Sequence, residues 1–233
     1  MHRALLTALL LSVSYPAVAQ DGAMQPAMSA EQVTASNQAV TDFTAGQQAQ
    51  QSGDNAAALA KYEAALPAIR EAVRVQPANM EMVSFLANTL YAAAAAKAGL
   101  QQMDAVAPLF QESLPLWRKV VSAKPDDMAA TSILAGILTQ LGNVKLSQQD
   151  KAGAATLYAE ALPLARKVAG EQPAAPNKNL LFSTLVGASQ ASEDAAIQSE
   201  VKTMAETMIS DGSIDAANRP AAEVLAGAQA AAQ

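Results

Sequence analysis

The dipeptide Leu-Pro occurs three times inside segments that otherwise have the composition of an α-helix, at Leu66-Pro67, Leu114-Pro115 and Leu162-Pro163. A proline in a helix interior removes one hydrogen bond and clashes with the preceding turn, at a cost of about 3 kcal/mol. The three pairs follow one another at intervals of 48 residues. A costly residue that recurs at a constant interval indicates an internal repeat.

Other positions match when the chain is shifted by the same 48 residues. The aligned sets include Tyr62, Phe110 and Tyr158; Arg70, Arg118 and Arg166; and Pro77, Pro125 and Pro173. A repeat of about 20 to 50 residues is typical of solenoids, in which each unit packs on the next. The sequence therefore predicts a chain built from stacked copies of one supersecondary unit.

Each unit contains two amphipathic helices. Apolar residues from Leu59 through Tyr62 to Val73 recur every three or four positions, which places them on one helix face. A second apolar series, from Val83 to Leu90, follows the proline at Pro77. The pattern predicts eight helices, over 30–51, 55–76, 79–98, 102–124, 127–147, 150–171, 176–190 and 193–209.

Helix starts and the internal prolines give further expectations. Ser29 and Gln32 form a capping-box pattern, and the residues expected to cap later helices are Asp54, Asp104 and Asp150. At each Leu-Pro the helix either continues with a kink or stops and restarts. We favour the kink, because the apolar pattern runs through Pro67 without a change of phase.

The segment from Gly53 to Leu66, GDNAAALAKYEAAL, resembles the second helix of a tetratricopeptide repeat. That family has a small residue, an aromatic four positions later and an alanine three beyond, here Ala58, Tyr62 and Ala65. The family repeat has about 34 residues, and each helix here is about seven residues longer. Seven residues make almost two turns, so a lengthened helix keeps the same face toward the core. The resemblance implies an all-α, right-handed α-solenoid of about four antiparallel helical hairpins over residues 30–209.

The two ends of the chain fall outside the repeat. Residues 1–19 have a basic start at Arg3, an apolar stretch and an Ala17-Val-Ala19 end, which predicts a signal peptide cleaved after Ala19. About ten apolar residues cannot cross a bilayer that needs about 20, so no stable membrane insertion is expected. The protein should be periplasmic in a Gram-negative bacterium and otherwise secreted. Residues 20–29 are predicted to form a linker, and residues 210–233 are predicted to form a flexible tail with one weak helix.

The composition argues against most catalytic chemistry. The single histidine, His2, lies in the predicted signal peptide, and the chain has no cysteine. Nucleophilic sites that use histidine or cysteine, and ordinary zinc sites, are therefore not expected. The carboxylate pairs Asp126-Asp127 and Glu193-Asp194 stand where helices begin, so we interpret them as helix caps. We expect no enzyme and no cofactor, and the formal net charge of −6 disfavours a nucleic-acid partner.

The aligned arginines have two interpretations. They could form a basic stripe that receives acidic groups of a partner. Alternatively they have a structural role, either bridging neighbouring repeats through Glu112 and Glu160 or extending along the apolar face with the charge in water. We favour the structural interpretation, since the second helices of this family pack against their neighbours. Trp117 aligns with Ile69 and Ala165, which indicates a core residue rather than an exposed anchor.

The resemblance also implies that the first helix of each hairpin lines a concave groove. The positions carried over are Val40, Phe43, Ser84, Asn88, Tyr91, Ser132, Thr139 and Thr184, together with Gly136 and Gly187. Relatives that clamp a peptide carboxylate carry lysine and asparagine in this groove, whereas Asn88 has no lysine beside it. A carboxylate clamp is therefore not expected. Phe43 and Tyr91 are the residues to test.

Three functions remain open from the sequence. The favoured one is an exported, non-catalytic scaffold that binds a protein or peptide segment on the concave face, in either a helical or an extended form. The first alternative is a structural component that self-associates through a terminal repeat. The second is a small-ligand carrier or a carboxylate-based enzyme.

Overall fold

The computed structural model describes residues 27–227, and within them the regular structure is entirely helical. A short 3-10 turn, Met103–Ala105, precedes the fourth helix. The helices are α1 (Ala30–Gln51), α2 (Asn55–Val75), α3 (Met80–Gly99), α4 (Val106–Ala123), α5 (Met128–Ser147), α6 (Lys151–Glu171), α7 (Ala175–Ala191), α8 (Ala195–Ser210) and α9 (Arg219–Leu225). The first eight match the eight predicted helices to within a few residues. The predicted signal peptide and residues 20–26 of the predicted linker lie outside the described residues.

Most of the predicted caps are present. The Ser29 hydroxyl accepts from the Gln32 N–H at 3.2 Å, and the Gln32 side chain accepts from the Ser29 N–H at 2.8 Å. Carboxylates cap four later helices in the same manner: Asp54, Asp127, Asp150 and Asp194. The prediction for Asp104 is wrong, because this residue lies inside the 3-10 turn and α4 has no side-chain cap.

The three Leu-Pro prolines lie inside continuous helices. Pro67, Pro115 and Pro163 fall within α2, α4 and α6, so the alternative in which the helix stops and restarts is wrong. All three prolines are exposed. A carbonyl that loses its N–H partner on this side of the helix can bind water instead. A bend of the helix axis at these positions stays a prediction.

Successive helices form antiparallel hairpins. Gln32, early in α1, donates to Glu71, late in α2, at 3.0 Å, whereas Gln50, late in α1, accepts from the Tyr62 hydroxyl at 2.9 Å. In α2 and α3 the same relation holds for Glu63 and Lys97, which are 2.8 Å apart. The described helices therefore form an all-α solenoid of stacked hairpins.

The hairpins are arranged in two layers. In the layer of first helices, α1 touches α3 through Phe43 and Phe85, and α5 packs on α7. In the layer of second helices, ion pairs join α2 to α4, α4 to α6, and α6 to α8. These pairs are Arg70–Glu112 at 2.7 Å, Arg118–Glu160 at 2.6 Å, and Arg166–Glu200. The predicted bridging role of the arginines is confirmed, with Glu200 as the third partner.

Three turns have the same backbone conformation. Gly53, Gln101 and Gln149 have φ angles of 84°, 61° and 62°, which lie in the left-handed region. They stand 48 residues apart, each just after the first helix of a hairpin. Glycine adopts this conformation without strain, while the two glutamines do so at a cost of about 1 kcal/mol. The 48-residue period of the sequence is thus also present in the backbone conformation.

Buried aromatic rings fit against glycines of the facing helices. A Cβ atom added at Gly46 would lie 2.6 Å from the Tyr62 ring, and one at Gly142 would lie 2.7 Å from the Tyr158 ring. Gly187 also packs directly on Tyr158. Both tyrosines are almost fully buried, as is Trp117, which confirms its assignment to the core. Each ring therefore occupies space that the glycine leaves free, which lets the helices approach closely.

Residues 211–227 pack on the last hairpin, contrary to the expectation of a flexible tail for this stretch. Ile214 and Ala222 are buried with side chains of α7 and α8. The Asn179 side chain donates to the Ser213 carbonyl at 2.8 Å and accepts from the Asp215 N–H at 2.9 Å. The weak helix expected near the end is α9. The period of 48 ends before this segment, so the repeat pattern gave no sign of its packing.

Candidate functional site

Large apolar side chains are exposed at two of the predicted groove positions. Val40 in α1 is 39% exposed and Tyr91 in α3 is 36% exposed. Elsewhere in residues 27–227, the large apolar residues Met103 and Val224 are more exposed, at 61% each. Tyr91 lies one turn beyond Asn88, which is the counterpart of Val40 at the 48-residue offset. Val40 and Asn88 thus occupy equivalent positions on α1 and α3, and Tyr91 lies one turn further along α3.

Tyr91 is held by two aromatic contacts while its hydroxyl stays free. Its ring stacks on Phe110 at 6.1 Å and meets Trp117 edge-on at 6.3 Å. The hydroxyls of Tyr62 and Tyr158 bond to Gln50 and Asn143 respectively. That of Tyr91 has no hydrogen-bond partner among residues 27–227. Partial burial raises the pKa of the Tyr91 phenol above its usual range. A phenol is protonated at neutral pH even without such a shift, so the hydroxyl can donate.

Asn88 offers a complementary acceptor. Its Nδ2 donates to the Ser84 carbonyl at 2.8 Å, which orients the side chain along the helix. The Oδ1 atom accepts no hydrogen bond from any other part of the described chain. A free acceptor at Asn88 and a free donor at Tyr91, one helical turn apart, match the N–H and C=O groups of a peptide backbone.

Phe43, on α1, packs against aromatic rings of α2 and α3. It is half-buried, with its ring 5.6 Å from Tyr62 and 5.3 Å from Phe85. Substitution of Phe43 by alanine would open a cavity between α1, α2 and α3, so this change would test stability as well as binding. Phe85 is not among the predicted positions, although it aligns with Ile133 and Leu181 at the same offset, which marks an apolar position.

The other predicted positions divide into accessible and buried sets. Ser84 and Ser132 are half-buried, and a Cβ added at Gly136 would meet no atom within 4 Å. Thr139 and Thr184 are buried, with their hydroxyl oxygens 2.8 Å apart. The prediction that these two threonines contact a partner is wrong, because they bond to each other and hold α5 against α7.

The face made by Val40, Ser84, Asn88, Tyr91 and Ser132, here called the first-helix face, carries no formal charge. Within residues 27–227, no cluster of histidine, cysteine, aspartate or glutamate side chains is placed to hold a metal ion. Also within that range, every helix falls short of the length and apolarity that crossing a membrane requires. What this face can do chemically is pack against apolar groups and bond to neutral polar ones.

Comparison with known proteins gives little further information. No protein-family model matches the chain, and no curated protein matches it. Among solved structures, the chain is similar to one described as MamA 41-end from Desulfovibrio magneticus RS-1. The two share 16% sequence identity with a TM-score of 0.37, and the match covers 83% of this chain and 97% of that one. A similarity at this level adds nothing to what the helix packing shows.

Proposed function

We propose that this protein is a non-catalytic helical-repeat scaffold that binds a peptide segment of a partner protein on the first-helix face. The proposal rests on two features of this face. Val40 and Tyr91 expose apolar surface, and Asn88 and Tyr91 carry hydrogen-bonding atoms without a partner among residues 27–227. An exposed tyrosine on a rigid base contributes strongly to protein interfaces, because little side-chain entropy is lost when it binds.

The chemistry of the face favours an uncharged stretch of the partner. The face has no formal charge, so it offers no compensation for a buried carboxylate or ammonium group. A peptide that places one apolar side chain beside Val40 and one peptide group over Asn88 and Tyr91 would meet both needs. Because no ion pair is involved, the affinity should change little between low and high salt.

We propose further that the chain is exported. The basic, apolar and small-residue regions of residues 1–19 support this proposal. Expression of the full chain in a Gram-negative host, followed by fractionation and N-terminal sequencing, tests it. The expected product begins at Gln20 and lies in the periplasmic fraction. A product in the cytoplasm that retains Arg3 would contradict export.

Capture of partners from an envelope extract tests the binding proposal. Three baits are compared: the wild type, a face variant with Val40→Lys, Asn88→Ala and Tyr91→Phe, and a control with Met103→Lys and Val224→Lys. The control changes two apolar residues of similar or greater exposure elsewhere on the molecule. Tyr91→Phe keeps the stacking on Phe110, so the fold should persist.

The proposal predicts a protein that the wild type and the control retain and the face variant loses. Circular dichroism melts of all three baits check that each is folded. A partner that all three retain would place binding elsewhere on the molecule. Recovery of the bait alone would instead favour self-association through a terminal repeat.

A further inference from the structure

The arginine ion pairs allow the last groove between hairpins to be compared with the preceding one. Arg118 pairs with Glu160, and Arg166 pairs with Glu200. Arg118 and Glu160 are 42 residues apart in the sequence, whereas Arg166 and Glu200 are 34 apart. The glutamate on α8 therefore comes eight residues earlier in the chain than the repeat predicts. When Glu200 is aligned with Glu160, each residue of α8 has a counterpart in α6.

In the preceding groove, between α4, α5 and α6, side chains fill the space. Val121, Ile133 and Leu164 pack against the buried core. The Lys167 side chain crosses the groove and its ammonium donates to the Pro125 carbonyl at 2.7 Å. This groove is therefore closed by residues of the chain itself.

In the last groove, between α6, α7 and α8, three of the matching positions carry smaller residues. Ala169 stands where the preceding groove has Val121, Gly170 where it has Ser122, and Thr207 where it has Lys167. The result is an open cavity of about 390 Å³. That volume lies within the range of about 300 to 1,000 Å³ found for small-molecule sites.

The cavity combines an apolar wall with two cations and the carboxylate of Asp211. Leu181, Met204 and Met208 line it, together with Arg166 and Lys178. Arg166 uses Nε and Nη2 on Glu200, which leaves its Nη1 group without a partner among the described residues. The charge of Lys178 has no counterpart in the preceding groove, where the matching residue is Ala130.

Lys178 forms an ion pair with Asp211 that is longer than the ion pairs of the aligned arginines. The Lys178 Nζ atom lies 3.7 Å from the Asp211 carboxylate, which is longer than a hydrogen bond. Asp211 also accepts from the Ser213 N–H at 2.9 Å, so its charge is shared with the turn that follows α8. The Lys178 ammonium thus retains donors that point to no other group of the described chain.

We propose that this cavity binds a small organic monoanion, a carboxylate attached to a short apolar chain. The carboxylate bonds to Lys178 and to the free Nη1 of Arg166, and the apolar chain lies along Met204 and Met208. Methionine side chains suit this role, since they adapt to ligands of different shape. None of these residues belongs to the first-helix face, so the site is separate from the proposed peptide site.

The test uses hexanoate as the probe, with the full chain labelled at its methionine methyl groups. In NMR titrations, hexanoate should shift the Met204 and Met208 signals saturably, and hexanol should bind about tenfold more weakly, because it lacks the charge. Lys178→Gln should weaken hexanoate binding by about tenfold. Lys124→Gln, which changes an exposed lysine at the end of α4, should leave binding unchanged.

A second variant closes the cavity with residues that the preceding groove already carries. Ala169→Val, Gly170→Ser and Thr207→Lys together should abolish the hexanoate shifts while the methyl spectrum keeps its native dispersion. The proposal is overturned if the two methyl signals of the folded wild type do not move at about 10 mM hexanoate. It is equally overturned if hexanol binds as well as hexanoate, or if the closed variant still binds.

Discussion

Arg118 donates two parallel hydrogen bonds to Glu160, from Nε to Oε1 at 2.8 Å and from Nη2 to Oε2 at 2.6 Å. The two residues belong to the second helices of neighbouring hairpins. The same two-point geometry joins Arg70 to Glu112 one hairpin earlier. A planar fork of this kind constrains orientation as well as distance, so the two pairs mark the same register between successive hairpins.

A double-mutant cycle on Arg118 and Glu160 should give a coupling energy of about 0.5 to 1 kcal/mol. The value is small because the side chains are 46% and 35% exposed, so water screens the charges. Urea unfolding of the wild type, Arg118→Ala, Glu160→Ala and the double variant measures it. Added salt should reduce the coupling further. A coupling above about 3 kcal/mol would contradict the screened geometry.

Two glycines of α5 provide a matched pair of substitutions. Gly142→Ala should destabilise the protein by about 1 to 3 kcal/mol, because the new Cβ would lie 2.7 Å from the buried Tyr158 ring. Gly136→Ala should stabilise it by about 0.5 to 1 kcal/mol, since the position is helical and open. Urea midpoints compare the two. Equal effects would mean that the Tyr158 ring does not rest on Gly142.

The stability should fall in strongly alkaline solution. Burial raises the pKa of Tyr62 and of Tyr158 to about 12, against about 10 in the unfolded chain. The folded state therefore favours the protonated phenols, and this stabilisation is complete below pH 10 and lost as the pH rises toward 12.

Urea unfolding between pH 8 and pH 11.5 measures this loss. Tyr62→Phe with Tyr158→Phe should be less stable at pH 8, since two part-buried hydrogen bonds are lost. The same variant should lose less stability on the way to pH 11.5. An identical pH dependence in the wild type and this variant would show that the two phenols do not carry the effect.

Asn179→Ala should destabilise the C-terminal hairpin by about 1 to 2 kcal/mol, because it removes two part-buried hydrogen bonds, one to the Ser213 carbonyl and one from the Asp215 N–H. Hydrogen exchange should increase first at Ile214 and in α9, which depend on this side chain for their attachment. Asn37→Ala, an exposed change in α1, is the control and should be neutral or slightly stabilising. Unchanged exchange at Ile214 would contradict the role assigned to Asn179.

The sequence predicted the helices and the register of the ion pairs because both depend on local spacing. Arg70, Glu112 and the prolines repeat at one interval, and each repetition specifies the same contact. Thr139 and Thr184 were misassigned for a related reason. The groove positions assumed that neighbouring first helices are equally spaced, whereas α5 and α7 approach closely enough for the two hydroxyls to bond.

The sequence could not predict what lies beyond the repeat. Asn179 anchors residues 213–218 through contacts between segments about 35 residues apart, and no periodic pattern marks it. The cavity beside Lys178 depends on the eight-residue shortening before α8. An alignment at the constant interval of 48 pairs Glu160 with Met208 instead of Glu200, and this conceals the substitutions that open the cavity.

Site-specific photo-crosslinking in the native envelope would detect peptide binding on the first-helix face. A photoreactive phenylalanine analogue replaces Tyr91 in one version of the full chain and Met103 in another. We expect a discrete crosslinked partner from position 91 that is absent from position 103, and its attachment site should map to an uncharged segment. Crosslinks at position 103 alone, or none to another protein from position 91, would contradict binding on this face.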